Sequence, residues 1–529
     1  MQEKMQSNDL ALLGQSPEAL LAQLPARIST PLKRWSQERG DAPALCDHLG
    51  HHYTYTQLEQ AVASCQETLL GLGVDAGDRI LLINENCAQL LIWILAISEM
   101  NAVSVVVNAR LAAAEIERIQ HHCEPKLTAY FLNSTAAQRQ YEALALSGDA
   151  RVLEEESGRV GVILSSAKPV PLDESGVATT DRVCVMIYTT GTTGDPKGVM
   201  LTHRNMLFVA AVTGVLRGMT AEDRIYGVLP LSHIFGLSAV FLATLYRGAQ
   251  LVLADRFDAQ ESLRTLDEKK ITGMMGVPTM FARFLEHCRT QGVGPEAMPK
   301  LRFIYAGGAP LDPTIKRDTE QLFGLTLLNA YGMTESGPTI CQVRWNERLG
   351  NCSVGRPLPG VEVRLIGDDG AQVSQGDVGE LHVRGPNVMR GYFKNAEATS
   401  AAIDAEGFLN TGDLVREDEL GNIHIAGRSK ELIIHSGFNV YPPEVEAVIA
   451  QHSDVLVCAV IGESMNGNEE VIAFVQTKAD SALTQSALQA FIKPFLSPYK
   501  RPKEIVFLDQ LPSAPSGKVL KHQLRGLRH

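Results

Sequence analysis

A loop rich in threonine and glycine precedes a lysine in the segment YTTGTTGDPKG, residues 188–198. Glycines let backbone N–H groups approach an anion closely, threonine hydroxyls add donors, and a lysine supplies positive charge. The spacing differs from Gly-x-x-x-x-Gly-Lys-Ser/Thr, so this is not the common P-loop. A solvated turn would not need so many donors, and we predict a polyphosphate-binding loop. Its residues are Thr189, Thr190, Gly191, Thr192, Thr193, Gly194 and Lys197.

Carboxylates and a second lysine stand in short motifs further along the chain. Glu335 lies in YGMTES, where a carboxylate can hold Mg²⁺, which prefers carboxylate, water and phosphate oxygens. Asp413, in TGD, offers two acceptor oxygens that suit a pair of sugar hydroxyls. Lys518 lies in the glycine- and proline-rich segment SAPSGKVLK. Taken singly, the glutamate and the lysine also fit exposed surface residues, and the aspartate fits an ordinary turn or helix cap.

Taken in order, these motifs resemble those of the acyl-adenylate-forming superfamily, which groups acyl-CoA synthetases, adenylation domains of peptide synthetases and beetle luciferases. The resemblance covers essentially the whole chain and is nearest to AMP-forming fatty-acid or 4-coumarate-type CoA ligases. The matching segments are the phosphate loop YTTGTTGDPKG, the adenine turn YAGGAP (305–310), the magnesium motif YGMTES (331–336), the ribose motif TGD (411–413), the hinge and thiol-channel segment GRSKELIIHSGFNVYPPEVE (427–446) and the catalytic-lysine motif PSGKVLK (515–521).

The resemblance implies an enzyme that uses ATP and Mg²⁺ to activate a small carboxylic acid. The carboxylate would attack the α-phosphate, pyrophosphate would leave, and the acyl group would pass from the acyl-adenylate to the thiol of coenzyme A. One alternative acceptor is the phosphopantetheine thiol of a carrier protein. A remote alternative is a nucleotide-binding protein without catalysis.

Four residues are implied to act on the reacting groups. Lys518 would reach the α-phosphate during adenylation, and Glu335 would hold Mg²⁺. Thr334 could donate its hydroxyl to the α-phosphate. His233, in PLSHIFGL, would gate the substrate beside the thiol channel, although a histidine before an apolar run is more often a packed core residue. The other residues implied to contact nucleotide or thiol are Gly308, Ala309, Pro310, Tyr331, Gly332, Asp413, Arg428, Lys430 and Gly437.

A hinge is implied at Lys430. Adenylation needs a lysine beside the α-phosphate, whereas thioester formation needs a thiol beside the acyl carbonyl, and a hinge between domains can switch the two arrangements. Lys430 takes the family's hinge position, where many relatives have aspartate. Gly437, in HSGFN, would let an extended thiol arm pass close to the backbone.

The substrate is predicted to be an apolar acid. Amino-acid-activating relatives pair an aspartate with the substrate ammonium, but the corresponding stretch here, SHIFGLSAVF, has no carboxylate, and burying an unpaired ammonium is costly. Ile234 replaces the asparagine of dihydroxybenzoate-type relatives. Methionines in TGMMGVPTMF suggest an apolar pocket lining, although core packing explains them equally well. A medium- or long-chain fatty acid and an arylpropenoic acid both remain open.

Short apolar runs alternate with longer helical patterns, which predicts an α/β fold with parallel sheets covered by helices. One predicted strand ends at Tyr188 and leads into the phosphate loop. The predicted strands include 78–83, 102–107, 183–188 and 248–254, and the predicted helices include 113–123 and 259–270.

After about Asp377 the pattern changes to short alternating strands separated by turn signals such as GYFKN, which predicts a smaller antiparallel β portion. The expected architecture is a large N-terminal domain, with two helix-covered sheets and a small distorted β-barrel, followed by a small mobile α+β domain. We place the boundary at Lys430. Residues 1–429 would bind AMP and the acid, and residues 430–529 would carry the catalytic lysine.

Charge, hydropathy and cysteine placement restrict the partners and the compartment. The 529 residues carry a net charge of -12, from 48 basic and 60 acidic residues, without a long Lys/Arg run, which argues against nucleic acid. The most apolar window, LLIWILAI (90–97), is too short to span a bilayer, so no integral membrane segment is expected. No secretory signal is recognised at the start. Nine scattered cysteines predict free thiols and a cytoplasmic protein.

Overall fold

The structure is a computed structural model. It describes residues 9–144, 150–165, 169–190, 196–299, 301–435, 438–465, 468–478, 481–513 and 519–527. The described strands form two large sheets, one four-stranded sheet and smaller sheets towards the C-terminus. The predicted α/β architecture, with a large N-terminal part and a smaller C-terminal part, is confirmed.

The first large sheet has eight described strands and carries the predicted phosphate loop. In spatial order they are Gly391–Tyr392, Pro196–Thr202, Val183–Thr190, Val103–Asn108, Arg79–Asn84, Leu127–Phe131, Gly158–Leu164 and Ala150–Glu155. The strands from Val183–Thr190 to Leu127–Phe131 run parallel. Their mainly apolar runs are buried on both faces, as expected of a sheet covered by helices.

The phosphate loop connects the two strands of a hairpin. Its first strand does not end at Tyr188, as predicted, but continues to Thr190 and pairs antiparallel with Pro196–Thr202. Thr189 faces Lys197 in the register of this pair. Pairing with the second strand extends the first, and a local apolar pattern does not report such a tertiary effect. The loop therefore differs from a P-loop in topology as well as in spacing.

The second large sheet has nine described strands. In spatial order they are Arg356–Pro357, Thr339–Gln342, Leu327–Gly332, Phe303–Ala306, Gly273–Gly276, Arg224–Gly227, Gln250–Leu253, Pro43–Cys46 and His52–Thr54. The six strands from Leu327–Gly332 to Pro43–Cys46 run parallel. Their carboxyl ends therefore share one edge, which is where open α/β sheets bind ligands.

A four-stranded antiparallel sheet forms the smaller β portion. Its strands, in spatial order, are Glu362–Ile366, Val378–Arg384, Leu409–Glu417 and Ile423–Arg428. The segment GYFKN lies between Val378–Arg384 and Leu409–Glu417 and turns at Phe393 and Lys394, as predicted. Its first two residues, Gly391–Tyr392, also form a short strand, which was not predicted and which pairs antiparallel with Pro196–Thr202 at the edge of the first large sheet. A two-residue strand has no periodic signal of its own, because only its tertiary partner defines it.

The residues after Lys430 form sheets that share no strand with the others in the described part of the chain. These are the hairpin of Ile433–His435 and Phe438–Val440, and the three-stranded sheet of Val455–Met465, Asn468–Thr477 and Glu504–Phe507. Apolar side chains of these strands pack with those of two helices, Pro442–Ile449 and Gln485–Ile492, in a core of their own.

Helices cover the sheets. The described α-helices are Pro17–Ala22, Thr30–Arg39, Tyr55–Gly71, Ala88–Glu99, Ala113–Cys123, Thr135–Leu144, His203–Leu216, Ala243–Arg247, Ala259–Glu268, Pro278–Gln291, Pro313–Phe323, Ala396–Ala402, Pro442–Ile449, Gln485–Ile492 and Lys521–Leu524. Phe235–Leu242 is a π-helix. The apolar window at 90–97 is a buried part of Ala88–Glu99, as predicted. Within the described ranges, no helix combines the length and the hydropathy needed to span a membrane.

Candidate active site

Two neighbouring parallel strands end at the same edge of the second sheet and lead into two predicted motifs. Phe303–Ala306 is followed by Gly307 and Gly308, and its neighbour Leu327–Gly332 leads into the 3₁₀ turn Thr334–Ser336. Gly308 has a φ of 79°, which residues with a Cβ rarely adopt. The predicted adenine turn, which continues through Ala309 and Pro310, and the predicted magnesium motif therefore lie side by side.

Gly332 packs directly against the backbone. A Cβ at this position would lie 1.6 Å from the carbonyl oxygen of Pro338 and 2.9 Å from the Cα of Thr339. A change of rotamer cannot relieve a clash with main-chain atoms, so the strand itself would have to move. The antiparallel pairing of Leu327–Gly332 with Thr339–Gln342 therefore requires a residue without a side chain at position 332.

Asp413 is held by two side chains from different elements. Its Oδ2 accepts a hydrogen bond from the Tyr331 hydroxyl at 2.5 Å, and its Oδ1 lies 2.9 Å from Nε of Arg428. Arg428 is the partner of Asp413 in the strand register. Burial and the charge of Asp413 raise the pKa of Tyr331, so the phenol stays protonated and donates. The fixed carboxylate keeps lone pairs for the hydroxyls of a ribose.

Glu335 is connected to Lys197 through Tyr392. The Tyr392 hydroxyl donates to Oε1 of Glu335 at 2.9 Å, and Nζ of Lys197 lies 5.0 Å from the centroid of the Tyr392 ring. This second contact is a cation–π interaction. Burial and the charge of Glu335 raise the pKa of Tyr392, which keeps its hydroxyl a donor. The lysine of the phosphate loop and the predicted magnesium-binding glutamate thus meet at one tyrosine.

The sequence analysis missed Tyr392. Its segment, GYFKN, reads as a turn, and a tyrosine beside a glycine carries no catalytic signal. The strand Gly391–Tyr392 places the ring next to Lys197, because Tyr392 pairs with Val199 on the hairpin. No feature of the sequence alone would have found this contact.

His233 lies on the surface at the start of the π-helix Phe235–Leu242. Its Nδ1 accepts a hydrogen bond from the backbone N–H of Phe235 at 3.3 Å. This exposed position does not fit the alternative of a packed core histidine. The Phe235 ring stands over Gly307, where an added Cβ would lie 3.1 Å from it. The histidine and the phenylalanine therefore flank the carboxyl ends of the sheet.

Ser429, the residue before the predicted hinge, is hydrogen-bonded to the four-stranded sheet. The Ser429 hydroxyl donates to Oε1 of Glu380 at 2.6 Å and lies 3.0 Å from the carbonyl oxygen of Gly412. Lys430, the next residue, is exposed. The chain is thus fixed to the four-stranded sheet up to Ser429.

Several predicted site residues cannot be placed. Gly191, Thr192, Thr193, Gly194, Gly437 and Lys518 lie outside the described residues. The described neighbours of Lys518 are Ser513 and Val519, which pair in an isolated antiparallel bridge. The contacts implied for the six residues stay predictions.

Comparison with known proteins identifies the family. The AMP-binding enzyme model matches residues 32–393, and the model of the AMP-binding enzyme C-terminal domain matches residues 444–518. The chain belongs to the AMP-binding enzyme family. The motif resemblance is thereby confirmed, as is the prediction of an ATP-dependent, AMP-forming ligase.

Named relatives of this AMP-binding enzyme are CoA ligases. It is 33% identical to a feruloyl-CoA synthase from Amycolatopsis over 483 residues, which are 90% of this chain and 94% of the relative. It is 34% identical to a methyl-dioxo-octahydro-indenyl propanoyl:CoA ligase from Mycobacterium tuberculosis over 514 residues, 94% of this chain and 98% of the relative. Neither name supports a carrier protein as the acceptor.

A solved structure of similar fold contains the expected nucleotide and metal. O-succinylbenzoate coenzyme A synthetase from Bacillus subtilis, in complex with ATP and magnesium ion, superposes with a TM-score of 0.77 at 28% identity. The match covers 94% of this chain and 99% of that chain. ATP, Mg²⁺ and coenzyme A are thus the cofactors and co-substrates of this type of enzyme.

Glu335 of this AMP-binding enzyme has the donor chemistry that Mg²⁺ prefers. The described residues contain no group of three or more His, Cys, Asp or Glu side chains that could hold a metal ion. Mg²⁺ usually takes one or two carboxylates together with waters and substrate phosphates. Glu335 offers such a carboxylate, oriented by Tyr392 and 8% exposed. A magnesium ion carried in by ATP is therefore compatible with this site.

Replacing Tyr392 by phenylalanine is expected to weaken the response to Mg²⁺. The substitution removes the hydroxyl that orients Glu335 and keeps the ring beneath Lys197. A hydrogen bond to a charged group contributes enough that adenylation at limiting Mg²⁺ should fall roughly 10-fold. Pyrophosphate release measured over a range of Mg²⁺ concentrations tests this. Tyr392→Ala, which removes both contacts, should be worse, and a wild-type response to Mg²⁺ in Tyr392→Phe would contradict the role of the hydroxyl.

Proposed function

We propose that this AMP-binding enzyme converts an apolar acid, either a fatty acid or an arylpropenoic acid, into its coenzyme A thioester. The observation that carries the proposal is an apolar wall beside the nucleotide residues. Cβ positions built on three glycines at the strand ends fall 3.1–3.6 Å from apolar side chains. These glycines are Gly276, Gly307 and Gly308, and the side chains are Met274, Met280, Phe235 and Val277.

The wall favours an acid without an ammonium group. The stretch 232–241 contains His233 as its one ionisable side chain. A buried ammonium would need a carboxylate partner, and this stretch has none to offer. Methionine and phenylalanine side chains adapt to flexible or planar apolar groups. Both acid types therefore remain candidates, and feruloyl-CoA synthase is a relative that acts on the arylpropenoic type.

The nucleotide residues have separate proposed tasks. Asp413, oriented by Tyr331 and Arg428, would accept from the ribose hydroxyls. Glu335 would hold Mg²⁺, which neutralises phosphate charge when bound. Thr334 would donate to the α-phosphate. Lys197, above the Tyr392 ring, would order the loop around the β- and γ-phosphates.

Two bond changes make up the proposed reaction. In the first, a carboxylate oxygen attacks the α-phosphorus and pyrophosphate leaves, with Lys518 stabilising the added negative charge. In the second, the thiol attacks the acyl carbon and AMP leaves. We propose 1–429 and 430–529 as the domains and Lys430 as the hinge that changes the arrangement between these steps. Nine free cysteines fit a reducing compartment, so we propose the cytoplasm as the location.

An acid panel tests the proposed function. Pyrophosphate release from ATP would be measured with fatty, arylpropenoic and amino acids, with coenzyme A, with a phosphopantetheinylated carrier protein and without a thiol. We expect release with a fatty or an arylpropenoic acid and turnover with coenzyme A. If none of the acids in the panel caused pyrophosphate release, the proposal would be refuted. AMP formation that turns over only with the carrier protein would move the acceptor from coenzyme A to that protein.

A further inference from the structure

Arg217 is a fully buried arginine with unused donors. It follows the helix His203–Leu216, is 1% exposed, and donates from Nη1 to the carbonyl oxygen of Ala239 in the π-helix. Its Nε and Nη2 have no hydrogen-bond partner among the described residues. A buried donor without a partner is costly, so these atoms call for a partner that the chain does not supply.

The positive charge of Arg217 is also uncompensated. No described carboxylate lies within ion-pair distance of its guanidinium, whose nearest aromatic contact is the Tyr305 ring at 5.4 Å. Burial lowers the pKa of Arg217 to about 10, which leaves the side chain charged at neutral pH. Buried charges are normally paired. Arg344, another buried arginine, shows the usual pattern, because Asp9 pairs with it at 2.5 Å.

Arg217 contacts two elements that flank the proposed acid site, the strand Phe303–Ala306 and the π-helix Phe235–Leu242. Tyr305 and Gly307 are two residues apart along one strand and its end, so they point to the same face of the sheet. On that face, the Phe235 ring covers Gly307, and Arg217 contacts both the Tyr305 ring and the π-helix that begins with Phe235. Two residues of strand span about 7 Å. The ring that the guanidinium contacts is therefore two residues before Gly307, on the strand that ends at the proposed site.

Two acceptor atoms near this point are also unpartnered in the described part of the chain. Oγ1 of Thr213, one helical turn before Arg217, has no partner, nor has Oε1 of Gln342, whose Nε2 lies 3.5 Å from the carbonyl oxygen of Thr213. All three side chains are buried. The π-helix that Arg217 contacts is a rare conformation that occurs often at functional sites.

We propose that the substrate acid carries an oxygen acceptor at the end remote from its carboxylate, and that Arg217 binds this oxygen. The acceptor is a ketone oxygen or a second carboxylate, both of which take hydrogen bonds from a guanidinium. The body of the acid would contact the wall of Phe235, Val277 and the methionines, and its far end would meet the unused donors. This inference rests on the proposed function and narrows its class of acid.

Matched acids test the inference. Pyrophosphate release would be measured with hexanoate, octanoate and decanoate, and with the terminal dicarboxylate and the penultimate ketone of each. We expect the wild type to have a higher kcat/KM for an oxygenated acid than for its parent at one of these lengths. In Arg217→Met this ratio should fall roughly 10- to 100-fold, because a hydrogen bond to a charged group is lost. If kcat/KM in Arg217→Met falls for only one of the two, the ketone or the dicarboxylate, that acid carries the acceptor that Arg217 binds.

The control is Arg247→Met. Arg247 is a partly buried arginine, and its Nε donates to the carbonyl oxygen of Met219 at 2.9 Å. Among the described residues it makes no hydrogen bond or cation–π contact with Tyr305. Its replacement should leave the ratio between oxygenated and parent acids unchanged. An equal loss on both acids in Arg217→Met would overturn the inference and make Arg217 a structural cap of the π-helix.

Folding is checked by the shift in Tm that ATP alone produces. If Arg217→Met does not fold, the same ratio is measured for Arg217→Lys and for the wild type. A wild-type preference for the parent acid at every chain length would overturn the inference. Failure of the inference is distinguishable from failure of the proposed function. In the first case unsubstituted acids still release pyrophosphate, and in the second neither a fatty nor an arylpropenoic acid does.

Discussion

Adenylate formation is expected to fall roughly 100- to 1,000-fold when Lys518 is replaced by alanine, the range seen when one donor to a charged transition state is removed. Negative charge builds on the α-phosphate as the carboxylate oxygen attacks, and a lysine supplies a compact positive charge there. In the second step the thiol attacks the acyl carbon and AMP leaves, so no bond forms or breaks at the α-phosphorus and the charge develops first on the acyl oxygen. Thioester formation from a supplied acyl-adenylate should therefore be largely retained.

Two assays separate these steps. Acid-dependent pyrophosphate release reports adenylation, and thioester formation from a synthetic acyl-adenylate and coenzyme A reports the transfer. Lys493→Ala is the matched control, since Lys493 is an exposed lysine in the same C-terminal part of the chain. It should leave both rates close to those of the wild type. Equal loss of both steps in Lys518→Ala would overturn the assigned role.

The second large effect is expected from Glu335→Gln. Glutamine has the same shape and its Oε1 can still accept the hydrogen bond from Tyr392, but it lacks the charge that Mg²⁺ prefers. Adenylation should therefore fall about 100-fold at ordinary Mg²⁺ concentrations, since the metal no longer joins the phosphates to the protein. The deficit should shrink as the Mg²⁺ concentration rises. Thioester formation from the supplied acyl-adenylate should change little.

Measuring pyrophosphate release against Mg²⁺ concentration tests this prediction. Glu380→Gln is a suitable control, because Glu380 accepts a hydrogen bond from Ser429 and has no contact with Tyr392. That variant should keep the wild-type dependence on Mg²⁺. A deficit in Glu335→Gln that stays constant at all Mg²⁺ concentrations would assign the glutamate to some other task.

Local sequence patterns correctly predicted the helices and strands that carry their own apolar face or continuous apolar run. The helix Ala113–Cys123 has the predicted bounds, and the strands Arg79–Asn84 and Val103–Asn108 are within one residue of theirs. These elements have continuous apolar runs or an apolar face, so the signal is local. The strand Gly391–Tyr392 and the extension of Val183–Thr190 depend on pairing partners, and the sequence analysis missed both.

The candidate site likewise contains residues that the sequence motifs predicted and residues that only distant contacts define. Motif order predicted that Tyr331, Asp413 and Arg428 serve one nucleotide, and the structure brings their side chains into contact. The sequence analysis did not single out Tyr392 or Arg217, because their importance lies in distant neighbours. Tyr392 matters through Glu335 and Lys197, and an arginine at the end of an apolar helix looks like an ordinary exposed residue until its burial is seen.

Gly332 has a consequence for attempts to change the acid that this enzyme uses. Because a Cβ there would meet the Pro338 carbonyl oxygen at 1.6 Å, no library that varies residue 332 should yield a folded active variant. Randomisation is better directed at Phe235, Val277 and Met280, whose side chains pack in an apolar cluster beside the strand ends. The range of acids open to engineering is thus set by these side chains, while main-chain atoms fix residue 332 as glycine.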